Sequence, residues 1–134
     1  MGQLMCRGLR GATTVETNTA VAILDATREL LDTMIAANAI DQDQVASIFF
    51  TTTMDLNAIF PAVAARERGW TDIALLNAHE MAVPGALGRC IRILMHLNTD
   101  RTAQELRHIY LRDARTLRPD LAAPTGGWSE TLDR

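Results

Sequence analysis

Residues 89–97 read RCIRILMHL, a strand-like apolar run with Arg92 standing inside it. A guanidinium keeps its charge at any accessible pH, so such a strand can be buried only where an anion meets the arginine. The chain must therefore supply a sheet and also a partner for that charge. Its formal net charge of −3 gives no broad positive field, so any basic site is local, built from a few arginines. That excludes nucleic acid and anionic membrane as partners and favours a small anionic ligand.

The 134 residues fit one domain with room for a core, and residues 1–121 are expected to form it. With 48% hydrophobic and 22% charged residues, the chain is not a largely disordered one. Cys6 and Cys90 lie in apolar stretches without CxxC or zinc spacing, which fits a reducing compartment. The opening MGQLMCRGLRG has neither the apolar stretch nor the cleavage site of a signal peptide, and Cys6 stands where myristoylation needs Ser or Thr. No apolar run reaches membrane-spanning length. A cytoplasmic location is the expectation.

Residues 4–9, LMCRGL, read as a first strand, and Gly8 and Gly11 around Arg10 suggest close backbone approach. Thr17, Asn18 and Thr19 offer N-cap oxygens to a long amphipathic helix with Val21, Leu24, Leu31, Met34 and Ile35 on its apolar side. VASIFFTTT after the polar DQDQ turn is a second strand. A short helix is expected between Asn57 and Arg68, limited at its start by Pro61 and ended by Gly69. TDIALLNA is a third strand, VPGALGR a turn, and RCIRILMHLNT a fourth strand. Thr102 to Glu105 matches a capping box, and HIYLRDARTL reads as a fifth strand. The tail at 122–134 is expected to be mobile. The fold class is α+β, a mixed sheet of about five strands packed against one long amphipathic helix.

Arg10, Arg92, Arg107 and Arg118 lie in or beside strands, with Arg66 in the short helix. Taken singly, each reads as a solvated or internally paired side chain. Arg92, among Ile91, Ile93, Leu94 and Met95, is the exception, and Arg10 has little cover from its glycine neighbours. Two converging guanidiniums suit a dicarboxylate. Glu80 ends a strand before a Pro-Gly turn, where ligand contacts tend to lie, and a salt bridge to Arg92 is the competing role. His79, His96 and His108 have no ligand spacing and read as hydrogen-bonded surface or strand histidines, so no metal is expected. Ser47 and Ser129 lack a nucleophile context. No GxGxxG or Walker pattern is present, and no cofactor is expected. Cys90, Met34, Met95 and Leu94 read as core. Arginines, a glutamate and a tyrosine without a nucleophile suit binding, or catalysis by placement and electrostatics alone.

RGLRGATTVE at 7–16, FPAVAAR at 60–66, HEM at 79–81, PGALGRCIRILMH at 84–96 and RHIYLRDARTLRPDL at 107–121 together resemble the monofunctional chorismate mutases of the AroH type, the class found in Bacillus. The blocks run in order over residues 4–121. The resemblance implies the chorismate mutase-like fold, a trimeric pseudo-barrel. It implies a cytoplasmic homotrimer with sites between subunits, converting chorismate to prephenate on the way to phenylalanine and tyrosine. It also implies that Arg10 binds a substrate carboxylate, that Arg92 reaches a carboxylate and the ether oxygen, and that Glu80 accepts from the ring hydroxyl. Tyr110 would help hold the enolpyruvyl carboxylate, while Phe60, Arg66, Leu117 and Arg118 would line or close the pocket and Leu75 and Leu76 the ring site. Asn77 stands in place of a cysteine near the ring hydroxyl, and an amide can make the same hydrogen bond. Val63 stands where a lysine often lies at the pocket mouth. The alternative is a trimeric protein on the same scaffold that binds an anionic metabolite, or is regulated by it, without transforming it. A further one is an interaction module whose arginines form interface ion pairs.

Overall fold

The structure, a computed structural model, describes residues 2–118; the expected tail at 122–134 lies outside the described residues. Five strands, β1 (Met5–Thr14), β2 (Val45–Thr52), β3 (Ala74–His79), β4 (Cys90–Thr99) and β5 (Ile109–Tyr110), and two helices, α1 (Ala20–Asn38) and α2 (Val63–Glu67), follow one another in the order β1-α1-β2-α2-β3-β4-β5. The strands form one sheet ordered β3-β2-β4-β1-β5. β4 runs antiparallel to β1 and β2, whereas β2 and β3, and β1 and β5, are parallel pairs. This is the mixed five-stranded α+β fold expected.

Strand periodicity sorts the side chains between two faces. Leu9, Ile48, Phe50, Ile91, Ile93, Met95 and Leu97 turn to one face and are fully buried. Each contributes about 1.5–3 kcal/mol by leaving water. α1 covers that face with Ile23, Ala26, Leu30, Leu31 and Met34. It begins at Thr19, whose hydroxyl accepts the Ala22 N–H at 3.1 Å, and it ends as Ala39 turns left-handed at φ 49°. The expected apolar stripe is out of phase at its start. Val21 is exposed because it lies over Asp25 and Arg28 on the 3.6-residue repeat, and Ile23 takes the buried place.

The close approach suggested by the glycines is real at Gly11 and internal. A Cβ there would stand 2.5 Å from Met34 Sδ and 3.1 Å from a Leu30 methyl, so the bare backbone lets α1 settle onto β1. Gly8 meets only ordinary contact, a Leu94 methyl at 3.6 Å. β1 also runs five residues beyond its expected end.

The fifth strand departs most from expectation, with only Ile109 and Tyr110 paired as strand. Leu111 N–H donates to Ala12 O at 2.9 Å, Arg112 then turns left-handed at φ 53°, and Arg112–Thr116 form a 3-10 helix. The Thr14 hydroxyl takes the Asp113 N–H at 3.3 Å, so a side chain replaces the continued ladder. Ala114 packs with Ala12 and Tyr110 in a small separate cluster. The second helix is shorter than expected for the same kind of reason: Phe60 O and Pro61 O are used by Val63 and Ala64 in i+3 turns, and the α-helical part spans five residues. Among the described residues no helix is long and apolar enough to cross a membrane.

Candidate active site

Directly paired residues of neighbouring strands project to the same face. Reading the registers across the sheet places Ala78, Thr51, Arg92, Ala12 and Tyr110 in one row. Leu76, Phe49, Leu94 and Arg10 form the next. Both rows lie opposite the α1-covered face. Arg92 is thus flanked in space by Thr51 and Ala12; its sequence neighbours Ile91 and Ile93 point the other way, into the core.

The anion that meets Arg92 is Glu80, with Nε to Oε2 at 3.1 Å. Glu80 is held by its own backbone, whose N–H extends the β3 ladder to Thr52 O at 2.8 Å. The Thr51 hydroxyl donates to the same Oε2 at 2.5 Å. A short bond from a hydroxyl to a carboxylate is of the charge-assisted kind. Sequence reasoning overlooked Thr51. Its signal was parity, since in FFTTT the residue two places after the exposed Phe49 must share its face.

Arg92 is not shielded as its apolar neighbours suggested. Its side chain is 46% exposed and that of Glu80 25%. Leu94, expected in the core, is half-buried on the same open face, beside Phe49 at 43% and Leu76 at 55% exposure. Phe49 also meets the His96 ring edge-on at 5.7 Å, and His96 Nδ1 lies 3.1 Å from the Ser47 hydroxyl.

Tyr110 is buried against Ala12 and Ala114, with Leu117 packed on the cluster. Arg10 and Arg118 both lie close enough to His108 to act on its charge. Arg10, Arg92, Glu80, Tyr110, Leu117 and Arg118 therefore gather toward the β4-β1-β5 side. The other expected residues do not join them within one chain. Phe60 is 64% exposed and, with Leu56, Pro61, Asn77 and His79, lines an open pocket of about 540 Å³ at the β3 edge. Arg66 is exposed on α2 and Val63 half-buried at its start. Leu75 packs against the main core, so only Leu76 of that pair faces outward from the open sheet. The Oδ1 of Asn77 is already engaged by the Ala62 N–H at 3.0 Å, so what its amide can still offer is the Nδ2 donor.

Cys90 is buried at the start of β4, and burial pushes its thiol up despite nearby Arg92. That is the chemistry of an inert core cysteine.

A model of the family described as chorismate mutase type I matches residues 6–121. Chorismate mutase AroH of Thermus thermophilus is 52% identical over 118 residues, covering 87% of this chain and 97% of the relative. Chorismate mutase AroH of Bacillus subtilis (strain 168) is 42% identical over 120 residues, 89% of this chain and 94% of the relative. Among solved structures, a chorismate mutase from Clostridium thermocellum superposes with a TM-score of 0.81 at 47% identity, covering 82% of this chain and 98% of that one. A cation-carboxylate pair on an open sheet face is common to many proteins, but over a match of this length it has one reading: the chain belongs to the type I chorismate mutase family.

Proposed function

We propose that this chorismate mutase works by holding its substrate between the charged rows of one subunit's sheet and the Phe60 pocket of a neighbour's, with no covalent bond to the protein. In the Claisen rearrangement of chorismate to prephenate both reacting ends belong to the substrate. The protein's task is to fold the ether arm over the ring and to favour the charge separation of the transition state. The breaking C–O bond leaves negative charge on the ether oxygen. Arg92 contacts Glu80 through Nε, so its two Nη nitrogens are the donors offered to that oxygen and to a carboxylate. Oε2 of Glu80 takes both Thr51 and Arg92, and Oε1 is the acceptor for the ring hydroxyl. Arg10 and Tyr110 hold carboxylate, and Leu117 and Arg118 close the near side. Phe60, Arg66 and the Nδ2 of Asn77 belong to the opposing wall, Leu76 borders the charged rows on the open face, and Leu75 acts from behind through its core packing.

The observation that carries this reading is the Arg92–Glu80–Thr51 cluster on the uncovered face, in the row that ends at Tyr110. A cation so placed gains strength when water leaves, and the exposed Phe49, Leu76 and Leu94 around it supply an apolar surface for a second copy to cover. A closed ring of three copies joined by one repeated heterologous contact does this for every subunit at once. The reading extends to a homotrimer in the cytoplasm. The alternative of a metabolite-binding protein without catalysis draws no support from the relatives.

The decisive test is turnover of chorismate, followed by loss of its ultraviolet absorbance. Arg92→Lys keeps a charge but loses the planar fork. By analogy with removal of an oxyanion donor, it should slow turnover by about 10²–10³-fold while stability changes little. Parent-like turnover by Arg92→Lys would refute the assignment. Sedimentation at the 14.7 kDa of a single chain would refute the shared sites.

A further inference from the structure

His108 has no role in the site described so far, yet it sits against the arginine on which carboxylate binding depends. Its Nδ1 accepts the backbone N–H of Arg10 at 3.0 Å. β1 and β5 pair over only Gly11–Ile109 and Ala12–Tyr110, so the imidazole takes over where the ladder stops. The segment is fixed from its other side by Asn38, buried at the end of α1. Asn38 Oδ1 accepts the Arg107 N–H at 2.8 Å, and its Nδ2 donates to Arg107 O at 3.0 Å. With the backbone of residue 107 clamped on both groups, the ring that follows is aimed at β1.

A ring nitrogen that accepts must be unprotonated, which places the proton of the neutral imidazole on Nε2. Among the described residues, the charges acting on the ring are Arg10 from β1 and Arg118 from the segment after β5, both positive. Burial first, and then these two guanidiniums, lower its pKa from 6.5 to about 4. The folded value is depressed, so the contribution is complete above about pH 6.5 and is lost as pH falls through about 4.

We propose that neutral His108 is a positioning residue: its Nδ1 fixes the backbone of Arg10 and so sets the guanidinium against the substrate carboxylate. Protonation converts the acceptor into a donor and frees the Arg10 N–H on the β5 side, while Arg10 stays paired with Leu94 of β4. The proposal rests on the reading of Arg10 as a carboxylate binder, and its test separates the two.

Purified His108→Ala, His108→Asn and Arg10→Ala are compared with the parent for kcat and KM on chorismate between about pH 3.5 and 8, a window that crosses the His108 transition at about 4. The ring nitrogens of the substrate-free parent are observed by 15N NMR at pH 7. His108→Ala should raise KM roughly tenfold or more, with a smaller change in kcat, because it strands a backbone donor. The Asn amide oxygen can occupy the Nδ1 position and does not titrate in this range. His108→Asn should therefore recover much of the loss and flatten the acid side of the kcat/KM profile. NMR should show Nδ1 unprotonated. An unchanged KM in His108→Ala, an acid limb in His108→Asn identical to the parent's, or a protonated Nδ1 would each overturn the proposal. If the Ala variant does not fold, a folded His108→Asn with KM far above the parent's overturns it as well. An unchanged KM in Arg10→Ala would instead remove Arg10 from the site, whatever the state of the ring.

Discussion

The two faces of the sheet use adjacent residues for opposite purposes. On the α1 side, Ile93 and Met95 are fully buried among Leu30, Leu31 and Met34, and Ile91 among Ile23, Ala26 and Leu56, so their contribution is settled within one chain. On the other side, Arg92, Leu94 and His96 alternate charge, apolar surface and imidazole, and none is fully covered. Beyond buried Cys90 at its start, β4 stabilises the chain through Ile91, Ile93, Met95 and Leu97 and, on the proposed function, offers a binding surface through Arg92 and Leu94. Core packing and the proposed catalytic surface are separated by one position of register.

The strongest challenge to that separation is a pair of neighbouring substitutions. Ile93→Ala should cost about 2–5 kcal/mol of folding stability by leaving a cavity, read as a lower urea midpoint. Leu94→Ser should leave the urea midpoint of the dissociated chain nearly unchanged and shift sedimentation toward smaller species. Equal effects on folding would show that the faces are not independent.

Gly11→Ala tests the covered face in the opposite sense, by adding an atom. Met34 is fully buried, so relieving the 2.5 Å approach to its sulfur forces the Met34 side chain to shift within a packed core. A loss of about 1–3 kcal/mol in thermal unfolding is expected. Thr51→Val sharpens the comparison from the open face. It keeps shape, removes the hydroxyl bond to Glu80, and should lower turnover by about tenfold with a normal melting temperature.

The smallest effect lies in the loops that join the faces. Asp55 accepts the Thr53 hydroxyl at 2.5 Å and the Arg89 N–H at 2.9 Å. These bonds, the Thr53 hydroxyl foremost, hold its carboxyl below its usual 3.8. Because the folded value is depressed, the stabilisation is present above about pH 3.8 and is lost as pH falls through the folded value. Asp55→Asn should flatten that acid limb in urea titrations. At neutral pH it should change stability by less than about 1 kcal/mol, since the group is open to water.

Much of this was legible in the residues. β-branched and aromatic runs located β2 and β4, Thr19 marked the start of α1, and the Thr102–Glu105 capping box forms around a 3-10 turn as its spacing required. Elements set by long-range partners were less so. HIYLRDARTL alternates well enough for a longer strand, but its hydrogen bonds go to Ala12 and Thr14, nearly a hundred residues away, and no local pattern encodes that. Arg92 looked buried because its sequence neighbours are apolar, whereas a strand sends those neighbours to the opposite face. The Glu80 contact was one of two readings of the same residues, and only the parallel pairing of β2 with β3 brings Thr51 beside it. Phe60 and Asn77 were identified by resemblance, and their distance from the arginines could not be read from spacing.

The position of β1 between β4 and β5 has a consequence for biosynthesis. β1 acquires its outer neighbour from residues 109–110, so during translation one edge of β1 must wait, unpaired, while the nearly one hundred residues between them emerge. Such non-local closure is slow compared with local helix formation and leaves a sticky strand edge in the nascent chain. If Arg10 binds substrate as proposed, it reaches its working position late in maturation.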